Sequence, residues 1–135
     1  ESVDHHKSIS SMHLHELSSY DTIIDLAGAI IGLQMLGIEQ LYCSQLNLGS
    51  GYIKPSGHRK LKVPGPVVKH LTKNFPTYCS GSTELTTPTG ALLSTSLAKF
   101  SKKIPPMEIS SIGFGAGTKR LTKPNFLTIF VGETL

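Results

Sequence analysis

A chain of 135 residues with a net charge of +4 is long enough for one core of ordinary size, and its aliphatic residues far outnumber its aromatics, with no Trp. The positive charge is spread over separate lysines such as Lys54, Lys60, Lys69 and Lys102, without the interleaved aromatic platform on which single strands stack. That excludes nucleic acid as the expected partner and leaves a phosphorylated small molecule or an acidic protein face.

Residues 1–11 hold Asp4, His5, His6 and four serines without periodicity, the pattern of a flexible His/Ser-rich arm preceding a domain over 12–135. His5 and His6 can donate to a metal or remain solvated. His13-Leu14-His15-Glu16 follows, then Asp21 and Asp25. In an extended segment His13 and His15 share a face, and on a helix Asp21 and Asp25, four apart, do the same. Imidazole with carboxylate suits a borderline divalent metal such as nickel, zinc, cobalt or iron, whereas calcium takes oxygens only. The plainer reading has Asp21 complementing the positive end of its helix and Asp25 pairing with a base.

The apolar run from Asp21 to Gly37 predicts a buried helix, with Gly28 and Gly32 as small positions that admit another backbone. The stretch Ile23 to Leu36 is too short to span a membrane and carries Asp25, and the polar first residues do not resemble a signal peptide. A cytoplasmic address is the expectation. Gln40 to Leu48 alternates well enough for a strand, and a strand after a buried helix is the habit of βαβ units. Cys43 and Cys79 are too few for a disulfide framework and read as reduced, partly buried thiols, with assistance to a soft metal as the alternative.

Gly49-Ser50-Gly51 closes that strand, either as a plain turn or as a place where a ligand approaches the backbone. His58 lies in the loop beyond, a third imidazole or simply an exposed one. Pro64-Gly65-Pro66 opens a helix of about eight residues. In Glu84-Leu-Thr-Thr-Pro-Thr-Gly90, Thr87 is the expected N-cap and Pro88 the first helical residue of a helix running through Ala98. Amides at that start, with the hydroxyls of Thr86, Thr87 and Thr89, can hold a phosphate or carboxylate, or the motif is a well-capped helix and nothing more. Met107 to Gly113 and Phe126 to Val131 predict two strands, with Gly113-Phe-Gly-Ala-Gly117 as a turn between them. That Gly-x-Gly-x-Gly opens no helix, so it is not read as a dinucleotide fingerprint. Lys119, Arg120 and Lys123 can meet an anion or remain solvated.

These motifs taken in order resemble the nickel-insertion proteins of lactate racemase cofactor synthesis, the LarC family. The resemblance rests on His13, His15, Glu16, Asp21, Ile23, Ile24, Asp25 and Gly28, then on Leu48 to Gly51, His58 and Val63 to Pro66. It continues through Glu84 to Ala91, Ile112 to Thr118 and Pro124 to Leu127. Departures stand at Ser18-Ser19-Tyr20, Arg59, Lys62 and Thr128, the last where an arginine is common, which puts an anion contact there in doubt. The family's Asp-Cys-Phe-Ser-Gly-type opening and its nucleotide-associated C-terminal domain have no counterpart here, so the chain reads as an internal piece, a split subunit or a decayed copy.

The resemblance implies a single α/β domain with helices on a mixed sheet. It also implies nickel insertion into pyridinium bisthiocarboxylate mononucleotide by a CTP-dependent cyclometallase of the lyase class that needs a second divalent cation, Mn or Mg. Under it, His13, His15, Glu16 and His58 are the metal candidates. Glu16, Asp21 and Asp25 are the acid–base candidates, and Gly49, Ser50, Gly51, Thr87, Thr89 and Gly90 the candidates for holding the mononucleotide. A homo-oligomer, or a partner subunit supplying the remaining family domains, is expected. The competing class is a non-catalytic metal-binding or structural subunit. Without a P-loop pattern, the chain alone is not expected to turn over CTP.

Overall fold

The computed structural model describes residues 20–54, 60–118, 121 and 125–135. His13, His15, Glu16, His58, Lys119, Arg120 and Lys123, with the 1–11 segment, lie outside the described residues.

The fold is mixed α/β, with both parallel and antiparallel pairing, in one domain. Helix α1 spans Tyr20–Met35. It ends in a Schellman turn, in which the Ile38 amide reaches the Leu33 carbonyl at 3.0 Å and the Gly37 amide reaches Gln34 at 3.0 Å. Gly37 sits at φ 64°, the left-handed position this motif requires and glycine tolerates without cost. Sequence had placed α1 in a core. It has no buried residue, and Ile23, Ile24, Ile30, Ile31 and Met35 are exposed. Among the described residues nothing lies within 4 Å of a Cβ built on Gly28 or Gly32, so none of them makes the expected close backbone approach at these glycines. The cause is that, among the described residues, α1 meets α3 along only part of its surface, which leaves Ile23, Ile24, Ile30 and Ile31 uncovered.

The predicted strand over 40–48 is two strands, β1 at Leu41–Cys43 and β2 at Leu46–Asn47, because each pairs with a different partner. A short hairpin, β3 (Tyr52–Ile53) with β4 (Leu61–Lys62), follows, with Lys60 Nζ 4.7 Å above the Tyr52 ring. Helix α2, Pro66–Leu71, starts from Gly65 as N-cap with Pro66 in its first turn. It is shorter than the expected eight residues because the Thr72 hydroxyl donates to the Val68 carbonyl at 2.7 Å and the chain turns there. Strand β5 (Thr77–Tyr78) then pairs parallel to β2, so the connection between them, which holds the β3–β4 hairpin and α2, is a crossover.

Helix α3, Pro88–Leu97, is capped by Thr87, whose hydroxyl accepts from the Gly90 amide at 3.3 Å. It stops at Leu97, one residue before the expected end, because Ala98 already begins β6 (Ala98–Phe100), parallel to β1. The core is Leu48, Val68 and Ala91, with Leu46 and Leu71 packed against it. It joins one residue from the segment after β2 to one from each of the two helices that follow. Each large side chain fully buried there contributes about 1.5–3 kcal/mol.

The chain finishes in an antiparallel hairpin, β7 (Met107–Ala116) with β8 (Phe126–Thr134), irregular in register between Ile109 and Ser111. Here the expected glycine turn is corrected. Gly113 and Gly115 lie inside β7, paired with Ile129 and Leu127. The stretch alternates with the period of a strand, and its glycines share one face.

Candidate functional site

Two sequence motifs that lie over thirty residues apart meet in one polar seam. Asn47, the last residue of β2, organises it. Its Oδ1 accepts from the Gly49 amide at 3.1 Å and from the Ser80 amide at 3.0 Å, while its Nδ2 donates to Ser80 Oγ at 2.8 Å. Its carbonyl accepts from the Thr86 hydroxyl at 2.7 Å. Beside it the Ser50 amide donates to the Thr83 carbonyl at 3.2 Å, the Ser50 hydroxyl donates to the Gly81 carbonyl, and Gly49 bridges Glu84. The Gly49-Ser50-Gly51 loop and the Glu84-to-Gly90 motif are therefore one surface.

Gly49 and Gly51 have φ of 81° and 85°. A Cβ on Gly49 would sit 2.9 Å from the Leu85 nitrogen and inside contact distance of the Thr83 carbonyl oxygen. The close backbone approach that the glycines permit is thus made by the chain's own 82–85 segment. Of the two readings of this loop, the turn accounts for both glycines.

At the start of α3 the geometry limits what an anion can find. Pro88 has no N–H, the Gly90 amide is held by the Thr87 hydroxyl, and the Ala91 amide donates to the Thr87 carbonyl at 2.8 Å. Within that turn the Thr89 amide has no hydrogen-bond acceptor among the described residues, and the Thr86 hydroxyl is engaged with Asn47. A ligand there would rely on side-chain hydroxyls and the helix dipole more than on a set of free amides.

Asp21 and Asp25 stand one turn apart on α1, both exposed. Among the described residues no group of three or more His, Cys, Asp or Glu side chains is arranged to hold a metal. The aspartates' imidazole companions in the sequence motif lie outside the described residues.

Both cysteines are free. Cys43 is half-buried, and that burial pushes its thiol above its ordinary pKa, partly offset by a hydrogen bond with Ser94. A neutral thiol is a poor metal ligand, since the thiolate is the species that binds. Cys79 is exposed, which corrects the expectation that both would be partly buried; it follows the two-residue β5, which is itself exposed. An open concavity lined by Ser44, Gln45, Tyr78 and Lys102 contains none of the candidate metal, acid–base or mononucleotide residues.

Sequence reasoning missed Asn47, Ser80 and Gly81. The signal was there for Asn47, because an Asn two residues before a glycine is the pattern of a side chain that hydrogen-bonds its own backbone two residues on. Nothing local marked Ser80, whose partner is thirty-three residues away.

The family model described as nickel insertion protein matches residues 1–135. A protein of Geotalea daltonii named "Putative nickel insertion protein" is 47% identical over 132 residues, 96% of this chain and 34% of its own length. One of the same name from Dictyoglomus thermophilum is 40% identical over 130 residues, 96% of this chain and 33% of its own. A pyridinium-3,5-bisthiocarboxylic acid mononucleotide nickel insertion protein of Desulfitobacterium hafniense is 38% identical over 130 residues, 96% of this chain and 32% of its own. The chain thus spans about a third of the length of the curated relatives it matches. No solved structure matches.

Proposed function

We propose, because this chain belongs to the nickel insertion protein family, that it takes part in transferring nickel into a pyridinium bisthiocarboxylate mononucleotide. The observation that carries the reading is the family match over all 135 residues, supported by relatives whose names state that substrate. In this reading nickel is the substrate delivered. His13, His15 and Glu16, with His58, receive it, since imidazole and carboxylate suit a borderline cation. Insertion replaces the proton on the pyridinium carbon by nickel, with a metal–carbon and metal–sulfur bonds formed. A carboxylate among Glu16, Asp21 and Asp25 takes the released proton or holds a second, harder cation.

The mononucleotide phosphate is placed at the polar seam, against Gly49, Ser50 and Gly51 on one side and Thr87, Thr89 and Gly90 on the other. What supports that placement is the hydrogen bonding that joins the two motifs through Asn47. CTP and a second divalent ion, Mn or Mg, belong to the same proposal, with a partner subunit or homo-oligomer completing the site and the cytoplasm as the compartment. Among the described residues no helix is long and apolar enough to cross a membrane.

The test is calorimetric titration of untagged chain with nickel. Binding near one equivalent is expected, abolished in His13→Ala/His15→Ala. Equal affinity in wild type and double variant refutes the assignment and moves the metal to the His5–His6 pair.

A further inference from the structure

Over Ile112–Ala116 and Phe126–Val131 the β7–β8 hairpin is largely apolar on both faces, while its other end carries Glu108 opposite Glu133. Cross-strand partners share a face, so the pairs Ile112↔Phe130, Phe114↔Thr128 and Ala116↔Phe126 define one side. Gly113↔Ile129 and Gly115↔Leu127 define the other. On the first, Phe114 is 71% exposed and its ring stands edge-on to Phe126 at 5.8 Å. On the second, Leu127 is 64% exposed beside Ile129, over glycines with nothing within 4 Å of a built Cβ. Strands that are apolar on both sides are the mark of a sheet covered on both sides, whereas a sheet with one face in water alternates apolar and polar residues.

We propose that the β7–β8 hairpin is an internal layer of a larger assembly, and that its two faces dock onto polypeptide corresponding to the two thirds of its relatives that this chain does not match. Two observations select that occupant. The relatives are about three times as long as the matched region, so the family includes enough additional chain to supply a layer on each side. A second copy of this chain meets the geometry less well: one isologous contact about a two-fold axis covers a single face, and the other stays in water. Helix α1, with no buried residue and with Ile23, Ile24, Ile30 and Ile31 exposed, adds a second surface with the same demand. The proposal is independent of nickel chemistry and is read by association alone.

The test co-expresses tagged 135-residue chain with the unmatched remainder of the Geotalea daltonii protein as untagged polypeptide. Copurification is followed by hydroxyl-radical footprinting. The expected result is a complex in which Phe114 and Leu127, reactive in the chain alone, are both protected. Phe114→Lys, which also removes the edge contact with Phe126, and Leu127→Lys are each expected to weaken copurification by roughly tenfold or more, with the melting curve of each isolated variant recorded alongside. The footprint on wild type stands whether or not a variant folds. Absence of copurification, a complex in which either residue remains as reactive as before, or a homodimer of the chain that protects both residues overturns the proposal.

Discussion

Replacing Gly49 by alanine perturbs the point where the seam and the core meet. Gly49 is buried, has φ of 81°, and bridges Glu84 between Leu48 of the core and Ser50 of the loop. An L-residue held in that left-handed conformation costs about 1–2 kcal/mol. The added methyl group would also meet the Thr83 carbonyl oxygen and the Leu85 nitrogen, both main-chain atoms, so relief requires moving the 83–85 segment away. That movement loosens the Ser50 amide bond to Thr83 at 3.2 Å and the Leu85 amide bond to Leu48 at 3.4 Å, each worth roughly 1 kcal/mol net. The sum is about 3–4 kcal/mol, a large share of the stability of a small domain. Urea unfolding monitored by circular dichroism measures it as a lower midpoint at unchanged slope. A loss under about 1 kcal/mol would show that the 82–85 segment is not held against Gly49, and the joined seam would fall with it.

The opposite sign is expected at Gly32→Ala: a helix interior with none of the described residues within 4 Å of the new Cβ should gain roughly 0.5–1 kcal/mol in the same unfolding assay, and a loss would mean that another backbone does lie there. Asn47→Ala removes an acceptor shared by two amides and a donor to Ser80, and should cost about 2–3 kcal/mol. Asn47→Asp keeps the acceptor and should recover most of that, as thermal melts of the pair will show. For the thiols, iodoacetamide with mass mapping should modify exposed Cys79 before Cys43. Because the folded state holds the Cys43 thiol above its ordinary pKa, it favours the neutral form. Stability should therefore be level below the ordinary thiol range and fall as pH rises through it, a fall that Cys43→Ser removes.

The capped start of α3 was legible because its signal is local: Thr87 then Pro88 specifies a cap and a first turn with no help from distant chain. The β-branched run of β8 was legible for the same reason. The glycines of β7 misled because a Gly-rich stretch usually marks a turn, yet their alternation has the two-residue period of a strand. Alpha-helical periodicity placed α1 correctly but said nothing about what covers it, since an apolar pattern records a demand for burial and not the element that meets it. Asn47 was missed for a related reason. Its role depends on Ser80 and Thr86, which reach it only through the parallel pairing of β2 with β5.

The position of Leu48 ties these observations together. It is a core side chain lying between Asn47, which binds the 80s loop, and Gly49, which bridges Glu84. Core packing and seam geometry are therefore fixed by three consecutive residues, and a change at any one of them alters both. The seam has little slack, because its glycines are filled by the chain's own backbone and Asn47 uses both side-chain polar atoms. A phosphate arriving there would find the Ser50 and Thr86 hydroxyl protons already given to the Gly81 and Asn47 carbonyls, whereas the Thr87 hydroxyl, which accepts from the Gly90 amide, keeps its own proton to donate. The same economy means that loss of binding in a seam variant identifies a ligand contact only when the variant's folded fraction is measured alongside. Asn47→Asp is the informative substitution for that reason: it preserves both amide acceptor bonds while adding a negative charge beside the proposed phosphate position, so it separates electrostatic exclusion of an anion from collapse of the loop.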